Sequence, residues 1–396
     1  MNLSREQRNH EIISNLKAIL HRRGLSQRDF ANLLGKKESE ISRWFSGKFG
    51  VSLRTQARIE EALQEPISSD STFRSGSGTT TAGSTRTIAI GIIGTGNIAG
   101  RFASESSHVA TCRLAAAYDT DSGRLQKFCA EHSIGTVCTS IHDLMDSCDA
   151  VYIASPVETH YEYARICLLA GKHVLCEMPF TRTAQEAKEL YSLARAPKLT
   201  LMPALKTAYC PSFKQLTEIA ASGIIGSISD ISATVTTLLP GDTPTAYYNE
   251  RLLENATYPL LAIFKLFGTG YRRISICNQR NGEKIGLSYI YMEYENCISS
   301  FKAGVGVKSE GSLVISGTEG YIYVPAPWWK TEYFEVRFEN QNDNKKFFFP
   351  YEASGLRYEI QAFSEAITGS RSAREDITPE ENLKIIEIQN KIIHKQ

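Results

Sequence analysis

Residues 87–99, TIAIGIIGTGNIA, constrain this chain more than any other stretch. Residues 87–94, TIAIGIIG, form a continuous apolar run without polar alternation, so both faces need cover, as in an interior strand of a parallel sheet. The run passes directly into Gly94-Thr95-Gly96-Asn97-Ile98-Ala99, a G-x-G-x-x-A arrangement. Gly94 permits a sharp turn, Gly96 leaves the backbone bare where a pyrophosphate approaches, and small Ala99 lets a helix pack close to the strand. A helix opening there offers unpaired N–H groups to the anion, so Asn97 and Ile98 join Gly94 and Gly96 as expected cofactor residues. The next strand, Arg113–Tyr118, ends at Asp119, 25 residues beyond Gly94. A carboxylate at that point accepts from an adenosine ribose and repels a 2′-phosphate, which favours NAD over NADP. Helix capping is the competing role for Asp119.

The alternation continues through strand Ala150–Ala154, helix Glu158–Ala170, strand His173–Cys176, helix Ala184–Ala194 and strand Leu199–Met202. Strands alternating with helices predict an α/β Rossmann domain, here 87–205. From about residue 226 the pattern turns to long alternating strands: Ser227–Leu238, Arg272–Cys277, Gly286–Glu295, Cys297–Ala303, Leu313–Ser316 and Tyr321–Val324. With closing helices near Arg357–Ile367 and Pro379–Ile392, residues 206–396 read as an α+β domain built on a large, mostly antiparallel sheet, a ligand and dimerisation domain whose last helices return to the Rossmann side.

Residues 68–86, SSDSTFRSGSGTTTAGSTR, cannot bury enough apolar surface to offset their ordering entropy and read as a flexible linker. Residues 1–67 before it hold twelve Lys/Arg against eight Asp/Glu, a net of +4, whereas the remaining 32 basic and 35 acidic residues give −3. The overall charge of +1 thus hides a basic head on a slightly acidic body, a pattern that marks an appended nucleic-acid module. Apolar residues at helical spacing predict helices at 9–22, from Ser26 through Leu34, at Lys37–Ser46 and at Leu53–Leu63, an all-α head.

Gln27, Ala31, Gly35, Ile41 and Trp44 within SQRDFANLLGKKESEISRWFSGK resemble the phage-repressor-like (XRE-type) helix-turn-helix family. That resemblance implies double-stranded DNA as partner, with the third helix in the major groove. Lys37, Ser39, Glu40 and Arg43 would face bases or phosphates, Gln27 the backbone or a base, and Lys36 and Lys48 phosphates. A small helical bundle with merely solvated charges is the competing reading.

GIIGTGNIA, DAVYIASPVETHYEYARICLLAGKHVLCEMPF, ASGIIGSISDI, LVISGTEGYIYV and YEIQAFSEAITG, in that order, resemble the glucose–fructose oxidoreductase, inositol dehydrogenase and MocA family. The resemblance implies that Ser155, Pro156 and His160 line the nicotinamide side, that Glu177 approaches the nicotinamide ribose, and that a cis peptide precedes Pro179. It also implies a sugar-like ligand and a homo-oligomer, dimer or tetramer. On physical grounds alone His160 is equally a cap or a core residue. Family enzymes transfer hydride from a sugar-like alcohol and need a positioned acid/base, supplied by Lys in an E-K-P triplet with Asp and His on a later helix. Here the triplet is Glu177-Met178-Pro179, and Glu254 and Tyr258 stand where Asp and His are usual. Methionine cannot exchange that proton.

Three readings follow: a sensor of nicotinamide dinucleotide or sugar with decayed catalysis; an NAD-dependent oxidoreductase using Tyr258 with Lys206 or Glu254; or a structural body. An appended DNA module favours the sensor. No uncharged apolar run nears the ~18 residues of a membrane span, and the N-terminus lacks an apolar signal core, which predicts a cytoplasmic protein. Nine scattered cysteines without a C-x-x-C pair read as buried reduced thiols, with no metal site expected. Pro325-Ala326-Pro327-Trp328-Trp329 reads as a loop packed on a sheet edge, with a sugar-stacking lip or a subunit contact as the lesser alternatives. Lys345–Phe349 reads as a strand.

Overall fold

The computed structural model describes residues 12, 13, 15–17, 19, 20, 26–34, 36–45, 55, 56, 59, 63, 67, 87–350, 353–369 and 376–394, the side chains of Glu40 and Arg43 excepted. Two compact units divide the chain, Met1–Ser84 and Thr85–Gln396. The expected linker at 68–86, the turn glycine Gly35 and Lys48 lie outside the described residues.

In the first unit, helices span Gln27–Leu34 and Glu38–Phe45. Ser26 opens the first: its Oγ accepts from the Asp29 N–H at 3.1 Å, while the Asp29 carboxylate accepts from the Ser26 N–H at 3.0 Å. This reciprocal pairing satisfies two donors that a helix start otherwise leaves bare. At the far end, the Lys36 N–H donates back to the Ala31 carbonyl at 2.9 Å. Phe30, Ala31, Leu34, Ile41 and Trp44 close one buried cluster with Leu16, Ile59 and Leu63. Ala31 is buried in that cluster, where its small side chain suits a close helix crossing.

The second unit holds two sheets. The first is parallel, in the order β3-β2-β1-β4-β5-β6: β1 Ile88–Ile93, β2 Cys112–Tyr118, β3 Thr136–Val137, β4 Ala150–Ile153, β5 His173–Glu177 and β6 Leu201–Ala204. All six residues of β1 are buried, as its unbroken apolar run demands. Because β1 pairs with β2 on one side and β4 on the other, a crevice opens at its carboxyl end, where such sheets bind ligands.

The second sheet has eight strands in the order β14-β13-β12-β11-β7-β10-β9-β8. They are β7 Ile228–Thr237, β8 Arg273–Asn281, β9 Lys284–Glu293, β10 Ile298–Val305, β11 Leu313–Gly317, β12 Tyr321–Val324, β13 Tyr333–Arg337 and β14 Lys345–Phe348. Every pairing is antiparallel except β7 with β10.

The sequence pattern assigns no strand between Leu238 and Arg272, and only the family resemblance places a helix there, at Glu254 and Tyr258; the 23-residue helix Thr245–Phe267 fills that stretch and packs on β7, β9 and β10. Pro259 sits inside it and removes one backbone hydrogen bond, so its sequence does not read as a continuous helix. The closing helix Pro379–His394 locks against it through Lys265–Glu381 at 2.6 Å and through Gln389, whose amide donates to the Leu253 carbonyl and Thr257 Oγ1, both at 2.9 Å. The cysteines are all free, but only seven are buried; Cys277, on the edge strand β8, is exposed, and Cys297, in the turn between β9 and β10, is half-buried. Among the described residues no helix is long and apolar enough to cross a membrane.

Candidate functional site

A cleft of about 560 Å³ opens at the carboxyl ends of β4, β5 and β6, facing the helix Thr245–Phe267. Ile98, Ser155, Pro156, His160, Glu177, Met178, Lys206, Glu254 and Tyr258 all line it. A larger cavity of about 870 Å³ beside β6 gathers no comparable set of titratable groups.

The Gly94 and Gly96 positions have different causes. Gly94 has φ of +89°, and a Cβ there would lie 2.7 Å from the Ala154 carbonyl oxygen and the Ser155 nitrogen. Only glycine fits that turn. At Gly96 a Cβ would meet nothing within 4 Å: the backbone is bare toward open space. Gly96 also caps the helix Asn97–Ser106 without any side-chain hydrogen bond, leaving its first N–H groups for an incoming anion. The residues present therefore fit a dinucleotide's pyrophosphate.

Asp119 is more heavily engaged than its place at the end of β2 predicts. Its carboxylate accepts from the Thr95 N–H (2.8 Å), Thr95 Oγ1 (2.7 Å), the Asp121 N–H (2.9 Å) and Arg124 (Nη2 2.7 Å, Nε 3.2 Å). Burial works against the charged form, but the hydrogen bonds from Arg124, Asp121 and Thr95 prevail and hold Asp119 well below the usual carboxylate range. The helix-capping alternative falls to Asp121, whose side chain accepts from the Arg124 N–H at 2.9 Å.

His160 is 2% exposed, with Nε2 2.8 Å from the Ser155 carbonyl and Nδ1 2.9 Å from that of Pro179. Burial lowers its pKa, and the neutral ring has one N–H for two carbonyls. Its position ties the Ser155 turn to the cis Met178–Pro179 peptide. Glu177 is held from behind by the Tyr152 hydroxyl, which donates to Oε1, and Tyr152 itself stacks on Phe102 with ring centroids 3.8 Å apart. Burial, with Glu254 nearby, pushes the Glu177 carboxyl up to about 7. Sequence reading missed Tyr152: a buried strand tyrosine gives no local signal of what its hydroxyl reaches.

Lys206, on the turn Lys206–Tyr209 after β6, projects into the same cleft. Its Nζ donates to the Ser354 carbonyl at 3.0 Å, and burial, then the charges of Lys330 and Arg101, lower its pKa. Ser354 is pinned in turn by Glu105, which accepts from its N–H (2.7 Å), its Oγ (2.9 Å) and Arg357 Nε (2.8 Å). Glu254 pairs with Arg251 at 2.6 Å. Tyr258 as acid/base needs a lowered pKa; instead burial and the carboxylates of Glu254 and Glu177 drive it well above its ordinary value.

The Trp328-Trp329 segment corrects the sheet-edge expectation. Trp328 is 1% exposed, its Nε1 donating to the Thr234 carbonyl at 3.1 Å, but Trp329 lines the cleft beside Tyr258, ring centroids 6.0 Å apart. Adjacent residues on one tight turn thus point to opposite sides.

On the first unit, Gln27, Lys37 and Ser39 are exposed along or beside the two helices. Lys36 is half-buried, its Nζ 5.4 Å from the Trp44 ring centroid, so it packs rather than extends freely. Glu40 and Arg43 lie on the second helix, their side chains outside the described residues, and Lys48 lies outside altogether.

The fold and cleft define a dinucleotide-binding body behind a helix-turn-helix unit, and family comparisons agree. Residues 88–205 match the oxidoreductase family with the NAD-binding Rossmann fold, and residues 16–69 match the helix-turn-helix family. The chain joins an XRE-type helix-turn-helix domain to a Gfo/Idh/MocA NAD-binding Rossmann domain. It is 38% identical over 131 residues to scyllo-inositol 2-dehydrogenase (NADP(+)) of Bacillus subtilis, covering 33% of this chain and 40% of that enzyme. It is 26% identical over 262 residues to trans-1,2-dihydrobenzene-1,2-diol dehydrogenase of Bos taurus, covering 62% of this chain and 78% of the relative. The match thus spans less than half of the first of these enzymes. Among solved structures, UDP-N-acetylglucosamine 3-dehydrogenase from Acidithiobacillus ferrooxidans superposes with a TM-score of 0.67 at 18% identity, covering 77% of this chain and 96% of that one. The 3-ketoreductase KijD10 of Actinomadura kijaniata, solved with TDP-benzene and NADP, also gives 0.67, at 21% identity, covering 78% of this chain and 97% of its own. At such identities the likeness is one of fold.

Proposed function

We propose that the chain is a DNA-binding transcriptional regulator of the cytoplasm whose body senses NAD(H), a sugar-like ligand or both, without turning a ligand over. Met178 carries the proposal: at the cleft, directly after Glu177, stands a side chain that neither accepts nor donates a proton. Tyr258 does not replace it, since its surroundings favour the neutral phenol. The cofactor groups are Gly94, Gly96, Asn97, Ile98, Ser155, Pro156 and Glu177, with His160 holding two of these loops together. When bound, the nicotinamide supplies a hydride acceptor or donor; the chain's residues supply position and shape.

NAD is the expected cofactor because the Asp119 carboxylate opposes a 2′-phosphate. Arg124 partly neutralises that charge at 2.7 Å, so the choice between NAD and NADP rests on this pair. Gln27, Lys36, Lys37, Ser39, Glu40, Arg43 and Lys48 are the proposed DNA residues, and two copies would read half-sites ~34 Å apart. Selection of DNA from a random pool by full-length protein, with and without NAD, tests this reading. A defined palindromic site whose recovery changes with NAD is expected; no enrichment in either condition refutes it.

The second reading, an NAD-dependent oxidoreductase, is favoured by one observation: Lys206 reaches the cleft with a lowered pKa and could exchange the proton that Met178 cannot. Polyol-dependent NADH formation lost in Lys206→Met would establish it.

A further inference from the structure

The larger cavity, of about 870 Å³, shares no lining residue with the cleft. Small-molecule sites run to roughly 300–1,000 Å³, so it has room for a ligand of its own. Its walls come from β6, the helix Ala184–Arg195 and the ends of the two closing helices. Leu199, Leu201, Met202, Pro203, Ile377 and Leu383 make them mostly apolar. Two tyrosines stiffen this lining. The Tyr209 hydroxyl donates to the Pro203 carbonyl at 3.0 Å; Tyr191 accepts from Asn382 Nδ2 at 2.9 Å and stacks on Phe180, ring centroids 5.7 Å apart. Their polar ends are committed, which leaves their rings to a guest.

Three lining residues carry charge. Asp376 pairs with Lys214 at 3.0 Å. Lys188 and Arg195 are exposed, and neither has a hydrogen bond or ion pair with any described residue. Seven residues apart on the helix Ala184–Arg195, with Tyr191 and Ser192 between, they stand on one helix face at the cavity's rim. β6 adds a free backbone amide. It is the edge of its sheet, and the Val174 N–H donates to the Thr200 carbonyl at 2.8 Å, so in this parallel register the N–H and C=O of Leu201 turn away from β5. A further strand does not fit on that edge. Pro203 has no N–H, and its carbonyl already accepts from the Leu205 N–H at 2.9 Å and from Tyr209. One free amide, apolar walls and two uncommitted cations suit a small molecule and not an extended peptide.

We infer that this cavity is a second ligand site, taking a small apolar carboxylic acid, with its body between the tyrosines and β6 and its carboxylate toward Lys188 and Arg195. The site goes beyond the regulator reading and does not rest on it. It is nevertheless a neighbour of the cleft: Leu201, Met202, Pro203 and Tyr209 wall the cavity, while Ala204, Leu205 and Lys206 of the same segment wall the cleft.

Titration calorimetry on the full chain, first without NAD and then with it, tests the inference, using phenylpropionate and octanoate against phenylpropanol and octanol. At least one acid should bind about tenfold or more tightly than its alcohol, and its affinity should fall with added salt. Whichever acid binds tighter tells an aromatic body from an aliphatic one. The acid should still bind when NAD is present, since the two cavities use different residues. Lys188→Gln combined with Arg195→Gln, both at exposed positions, should remove the preference for the acid, and Ser192→Trp at the exposed rim should block it. Failure of both acids to bind, equal affinity for the alcohols, a preference that survives the double variant, or displacement of the acid by NAD overturns the inference. A protein that takes the acid but not NAD would uphold this site and overturn the cofactor reading of the cleft.

Discussion

Glu359 offers a sharp test of the body's energetics. It lies in the first turn of the helix Leu356–Thr368, is 0% exposed, and neither carboxyl oxygen has a hydrogen-bond partner among the described residues. Burial, with the Glu177 charge behind it, drives its pKa well above the ordinary value. Replacing it by leucine removes an unsatisfied polar group of similar volume, which should stabilise by about 1–3 kcal/mol. For a unit of about 310 residues, an unfolding entropy of about 2.1 cal/mol/K per residue makes each kcal/mol worth about 1.5 °C in Tm.

The pH dependence is more diagnostic still. The folded protein holds the Glu359 proton to higher pH than the unfolded chain, which releases it near 4.5. Wild-type stability therefore declines as pH rises between those two values, by about 1.4 kcal/mol per unit, and the leucine variant lacks this slope. Melting followed by circular dichroism at about pH 5 and about pH 6 should show the advantage of Glu359→Leu growing by about 2 °C. An advantage that is absent, or constant across that interval, would mean that the carboxyl is satisfied in solution and would refute the reasoning. Glu359→Gln, which keeps a buried polar end, should gain less.

Glu105→Ala should destabilise by about 3 kcal/mol, since it removes the carboxylate that accepts from Arg357 and Ser354 in a site where Glu105 is 5% exposed. Burial raises the Glu105 pKa, but the bonds from Arg357 and Ser354 outweigh it and lower the net value, so this stability is present above about 4.5 and fades in acid. Chemical denaturation at neutral and acidic pH should show the two proteins converging as pH falls. Arg124→Ala exposes the Asp119 charge and should weaken NADP about tenfold relative to NAD, read by nucleotide titration; equal losses would show that the pair does not discriminate. Met178→Lys alone should not create robust turnover, because Glu254 and Tyr258 also depart from the family pattern; brisk NADH formation with common polyols would place the cleft one residue from activity.

The local chemistry of this chain was legible wherever a residue's role depends on its neighbours in sequence. The apolar run at 87–94 with Gly94 and Gly96 announces a buried strand, a sharp turn and a bare stretch of backbone, and all three are present. Ser26 and Ala31 announce the helix start and crossing of the head in the same way. The missing lysine at Met178 is likewise a fact of sequence. Tertiary structure alone decided what meets across the cleft. Asp119 is spoken for by Thr95 and Arg124, Tyr152 backs Glu177 from 25 residues away, and Lys206 leans on Ser354 across 148 residues. The turn at Trp328-Trp329 sends one ring into the core and the other into the cleft. Periodicity and turn chemistry act over a few residues, whereas pKa values, charge convergence and burial depend on distances that only the packed sheets and helices set.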